Sequence, residues 1–101
     1  MVMTQPVTQA QVDAAQQAWE SAWQTLALEN QALRDVNASR QSIITTWQTE
    51  GGLPWSQAVL KLQALLDEHL ARMGPAGDAV VARWNEFHVL CTAFEAQRKQ
   101  P

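Results

Sequence analysis

The sequence predicts an all-α protein, a three-helix or four-helix bundle with coiled-coil-like packing, and three observations carry that prediction. Apolar residues recur at three- and four-residue spacing along most of the chain. Gly and Pro are sparse, four of each, and gather mainly in two short stretches that can separate helices. Hydrophobic residues make up 47% of the 101 positions, enough for one modest core and a single helical domain over 1–101.

The first helix opens at Thr8, a good N-cap with Gln11 three positions on in the capping-box pattern. Val7 before the cap and Val12 after it are placed to form a hydrophobic staple. A seam then runs through Val12, Ala15, Trp19, Ala22, Leu26, Glu29, Leu33, Val36, Arg40, Ile43 and Trp47, broken only by the charged Glu29 and Arg40. It stops at Gly51-Gly52-Leu53-Pro54, where Gly51 suits a left-handed cap. The expected helix covers about 9–50, a rod of about 60 Å. Its weak point is 35–39, where Asp35, Asn37 and Ser39 compete for backbone hydrogen bonds and can mark a kink or a fresh start.

Two shorter antiparallel helices are expected next. The first, about 54–73, starts at Pro54 and presents Trp55, Ala58, Val59, Leu62, Leu65, Leu66, Leu70 and Met73. Gly74-Pro75-Ala76-Gly77 ends it. Asp78 is the expected cap of the second, about 78–97, with a stripe of Val80, Val81, Trp84, Phe87, Cys91 and Phe94. Residues 1–7 and 99–101 are expected to fray.

Charge and composition exclude several classes. The formal charge is −3, and the seven basic residues are scattered instead of lining one face, so nucleic-acid binding is not expected. A single cysteine rules out an internal disulfide. No apolar run approaches the roughly 20 residues of a membrane span, and the opening Met1-Val2-Met3-Thr4-Gln5-Pro6 has no signal-peptide pattern. A cytoplasmic location is therefore expected.

No catalytic, cofactor or metal site is predicted. His88 and Cys91 lie one helical turn apart, but a structural zinc site needs about four ligands and the sequence supplies no others at matching spacing. Cys91 lies between Phe87 and Phe94, a setting that suits a buried thiol and not a reactive thiolate. Asp67 and Glu68 are adjacent, which on a helix points them about 100° apart. The glycines lack the lysine and flanking strand of a phosphate loop.

What remains is a mismatch of lengths. Two helices of about 30 Å laid side by side cover half of a 60 Å rod, unless the rod breaks near Asn37 and folds into a compact four-helix bundle. An uncovered seam calls for a partner helix or a second copy of the chain. The expected function is therefore a non-enzymatic protein-binding module: an adaptor, an export-type chaperone or a small regulatory subunit. Trp23, Leu26, Leu33, Val36, Ile43, Trp47 and Trp55 are the candidate contact residues, with Glu29 and Arg40 setting specificity. The partner is another protein or a self-association, with no membrane and no small-molecule substrate evident. A small acidic inhibitor, immunity protein, antitoxin or phage-encoded blocker is the alternative.

The segment Leu26-Ala27-Leu28-Glu29-Asn30-Gln31-Ala32-Leu33 resembles in texture the first helices of flagellar and type III export chaperones. That resemblance implies a client helix received on an apolar seam. The mid-chain turn is similar to that of the WxG-type secreted helical hairpins, but here Trp47 and Gly51 are four apart instead of two, and the tail has no tyrosine-based export signal. Neither likeness assigns the chain to a family.

Overall fold

A computed structural model describes residues 6–49 and 51–98, and over them the protein is all-α, with no strand. Helix α1 spans Gln9–Glu29, a single 3-10 turn covers Gln31–Leu33, α2 spans Arg34–Gln48 and α3 spans Trp55–Arg98. The start of α1 follows the sequence signal. Thr8 Oγ1 accepts from the Gln11 amide at 3.2 Å, and the Gln11 side chain accepts from the Thr8 amide at 2.8 Å. Val12 is buried, and Val7 packs half-buried against the same core.

The first helix is not continuous from 9 to 50, and its break is not at 35–39. It ends at Asn30, whose φ of −134° and ψ of 99° are extended. The Asn30 amide still donates to the Leu26 carbonyl, while its Oδ1 accepts from the Ala32 amide at 3.1 Å. One asparagine therefore closes one helix and caps the next turn, using the side-chain competition expected of Asp35, Asn37 and Ser39. Those three residues lie inside α2. Glu50 falls outside the described residues.

The turn after α2 is built on Gly51, at φ 74°, with the Gly52 amide donating to Thr49 and the Leu53 amide to Thr46. A Cβ at Gly52 would lie 2.1 Å from the Thr46 oxygen, so only glycine fits the close approach.

Helix α3 has two limbs, 55–73 and 75–98, separated by Gly74 at φ 63° and ψ −158°. The second limb begins earlier than the expected 78. Pro75 has the fixed φ of a first helical turn, so helix resumes at once and Asp78 lies within it instead of capping it. The limbs are tied by Trp55 Nε1 donating to Thr92 Oγ1 at 3.3 Å and Trp84 Nε1 donating to Gln63 Oε1 at 2.7 Å. Val7, expected to fray, is held at its amide and carbonyl by the Gln97 side chain, at 2.7 and 2.9 Å. Residues 1–5 and 99–101 lie outside the described set.

One core draws on α1, the 3-10 turn, α2 and both limbs of α3. Its centre is aromatic: Trp19 lies 5.2 Å from Trp84 and 5.0 Å from Phe87, and Trp47 lies 4.6 Å from Trp55 between ring centroids. Such tilted and offset pairs add about 0.5–1.5 kcal/mol each beyond simple burial. The longest dimension of the chain is 46 Å, shorter than the uninterrupted rod of about 60 Å.

Candidate functional site

The expected contact seam is consumed inside the chain. Trp23, Leu26, Leu33, Val36 and Trp55 are buried, and Ile43 and Trp47 are half-buried against the same core. The reason is the break at Asn30. Once α2 turns back, Gln48 Nε2 donates to Gln16 Oε1 at 3.1 Å, and each half of the seam faces other parts of the chain. Glu29, one of the two interrupting charges, is exposed at the end of α1.

Arg40, the other interruption, is only 1% exposed. Its guanidinium carbon lies 4.9 Å from the Trp19 ring centroid and 5.9 Å from that of Trp23. Nε donates to Asn37 Oδ1 at 3.0 Å, and Nη1 lies 3.6 Å from Glu20 Oε1. Both Nη atoms, and the indole nitrogen of buried Trp23, lack a hydrogen-bond partner. Desolvation by burial lowers the Arg40 pKa, and the nearby Glu20 charge opposes that shift. The ring faces above the guanidinium compensate part of its charge.

Exposed apolar surface lies elsewhere, mostly on α3. Leu60 is 70% exposed and Val89 59% exposed, and Leu70 is also exposed. Leu60 borders an open groove of ≈ 600 Å³ between the beginning of the first limb and the end of the second, lined by Pro54, Trp55, Ser56, Val59, Leu60, Thr92, Glu95 and Ala96. Its polar atoms are largely committed. Thr92 Oγ1 accepts from Trp55 and donates to the His88 carbonyl at 2.7 Å, and Glu95 lies 3.6 Å from Arg98. An apolar side chain entering here displaces few protein hydrogen bonds. Leu60 was not among the expected contact residues; the one signal that could have found it is an apolar residue off the main stripe of its helix, and the groove itself left no signal because it depends on how the limbs meet.

The His88 and Cys91 pair gains no support as a reactive centre. Cys91 is buried and its thiol is pushed up to about 12, by burial first and then by the charges of Glu95 and Asp13, which keeps it protonated at neutral pH. His88 packs against Trp84 in a tilted arrangement, 4.9 Å between centroids, and burial lowers its pKa. Among the described residues no group of three or more His, Cys, Asp or Glu side chains is placed to hold a metal ion. No helix among them is long and apolar enough to cross a membrane. No family model, curated protein or solved structure matches this chain.

Proposed function

We propose that the protein is a non-enzymatic helical binding module that receives an apolar segment of another protein in the α3 groove. The reading rests on one observation: a groove of ≈ 600 Å³ walled by Val59, Leu60 and Ala96, with a leucine left largely in water at its rim. Covering a leucine so exposed is worth about 1.5–3 kcal/mol, a useful anchor at the centre of a contact. In this reading the four helical segments pack as an antiparallel bundle, and the limbs of α3 form the binding face. The long seam of the first two helices serves as core. The occupant is an amphipathic helix that lays its apolar face along the groove, the helix-in-groove mode of recognition. Adaptor and chaperone roles both use this mode, and self-association through the same face is an outcome of the test.

The experiment is photo-crosslinking in extract of the native host, with the reactive group at position 60 or at exposed position 41 on α2. Discrete adducts from position 60 that disappear in a Val59→Asp background are the expected result. Equal labelling from both positions, or none from 60, contradicts the reading.

A further inference from the structure

Among the described residues, three of the four exposed large hydrophobic side chains, Leu60, Leu70 and Val89, lie on α3. Helical spacing places them on two stripes. On the first limb Ser56, Leu60, Gln63, Asp67 and Leu70 follow one another at three- and four-residue steps. On the second limb Asp78, Ala82, Asn85, Val89, Thr92 and Ala96 do the same. The stripes adjoin, because Ser56 and Leu60 border the α3 groove from one limb and Thr92 and Ala96 from the other. Leu60 and Val89 both fall between the two ties that join the limbs, Trp55 to Thr92 and Trp84 to Gln63, so both limbs supply the apolar centre of this face.

The charges that flank this centre have one sign. Asp67 and Asp78 stand seven and four residues from Gly74, at the end where the limbs turn. Gln63 Nε2 donates to Asp67 Oδ1 at 2.9 Å, which holds that carboxylate on the stripe. Neither aspartate has an ion pair among the described residues. Glu95 lines the groove at the opposite end, 3.6 Å from an Arg98 that is 66% exposed, so an incoming cation can take the arginine's place. Neither stripe carries a Lys or Arg. Lys61 lines a different groove with Ile43 and Leu53, and Arg83 is paired with Glu86 at 2.9 Å. His88, next to Val89, brings no positive charge at neutral pH, because burial lowers its pKa. A second copy docked here would set these acids against their own kind in either two-fold orientation, with no cation between them, and such like-charge contact suppresses a partner.

We propose that the occupant of this face is a basic amphipathic helix of another protein, with aliphatic side chains over Leu60 and Val89 and with Lys or Arg near both of its ends facing Asp67, Asp78 and Glu95. The inference rests on the reading of the α3 groove as a docking site and adds the charge of what docks there. The stripe from Ser56 to Leu70 spans about 21 Å at 1.5 Å per residue, so the partner helix makes about four turns along it. Burial of the apolar centre anchors the helix, while the flanking charges select the partner, fix its register and speed its approach.

The test uses the full chain and three synthetic peptides of about four turns. One is an amphipathic Leu/Ala helix with lysines flanking its apolar face, the second has glutamates in those places, and the third scrambles the lysine peptide so that no apolar face forms. Binding is followed by fluorescence anisotropy and by the amide resonances of Leu60 and Val89. The lysine helix is expected to bind saturably, at least about tenfold more tightly than the glutamate helix, and to weaken as NaCl is raised. Asp67→Lys combined with Asp78→Lys, both exposed changes, is expected to reverse that order. Leu60→Gln is expected to weaken both helices by about tenfold. A glutamate helix bound as tightly as the lysine helix, with shifts at Leu60 and Val89, overturns the charge inference and leaves the groove reading standing. Saturable binding of neither helix overturns both. A scrambled peptide that binds as tightly as the lysine helix, or a dimer of this chain that Leu60→Gln dissociates in sedimentation equilibrium, also overturns the inference.

Discussion

Arg40 lies beneath Trp19, its guanidinium carbon 4.9 Å from the indole centroid, with the nearest Glu20 oxygen 3.6 Å from Nη1. A buried cation paired at that distance is incompletely compensated, and replacing such a group by an apolar one is often neutral or stabilising. Arg40→Met is therefore expected to match or exceed the native stability in chemical denaturation. Glu20→Gln leaves the cation alone and is expected to destabilise by about 1–2 kcal/mol, less than for a fully buried pair because Glu20 stays partly in water. A large loss in Arg40→Met with none in Glu20→Gln contradicts this view of the pair.

Gly74 separates the limbs of α3 in a conformation that is essentially restricted to glycine, and nothing lies within 4 Å of where its Cβ would be. Its cost of substitution is therefore backbone strain alone. Gly74→Ala is expected to destabilise by about 1–3 kcal/mol, measured by urea unfolding, with unchanged helical circular dichroism in the native state. Gly77 is the contrasting case, because its Cβ would meet the Met73 Cβ at 2.4 Å and force the limbs apart.

Asn30 is the only described residue that both ends α1 and caps the following turn. Asn30→Ala removes the cap to Ala32 and the side-chain donor to the Arg72 carbonyl, and is expected to cost about 1 kcal/mol in thermal or denaturant unfolding. Ser39→Ala, inside α2 and exposed, is expected to be neutral within about 0.5 kcal/mol.

His88 gives the protein a pH dependence of definite sign. Burial lowers its folded-state pKa below the ordinary value of 6.5, so the unfolded chain binds the proton more readily. Stability from this group is present above pH 6.5 and is lost as pH falls through the window between the unfolded and folded values. The Tm is expected to fall between pH 7.5 and 5.5 by more in the native protein than in His88→Gln (the window lies mostly above carboxylate titration). Equal falls in the two proteins contradict this assignment.

Much of the fold was legible because local chemistry decided it. The Thr8 capping box, the Gly51 turn and the apolar stripe carrying Trp84, Phe87 and Cys91 all appear where their residues imply. The break of the first helix was misplaced for a physical reason. Asn30 falls between Leu26 and Leu33 without disturbing the 3-4 seam, so periodicity runs through a point at which the chain turns. Asp35, Asn37 and Ser39 looked like breakers by type, yet all three stay in helix, and the Asn37 side chain is recruited by Arg40. The candidate contact residues followed that error: they were identified correctly as apolar seam, but the seam faces inward. The α3 groove and the buried cation needed tertiary geometry, since a charge at a seam position gives no indication of whether it will be covered.

The turn at Asn30 decides between a self-covered core and an exposed rod, and one distance measures it. With spin labels at positions 16 and 48, a fold in which the side chains of Gln16 and Gln48 touch gives a separation below about 20 Å by pulsed electron paramagnetic resonance. An unbroken helix would hold those positions about 48 Å apart at 1.5 Å per residue. A single short-distance population is the predicted result, and a dominant population near the longer value would contradict the account.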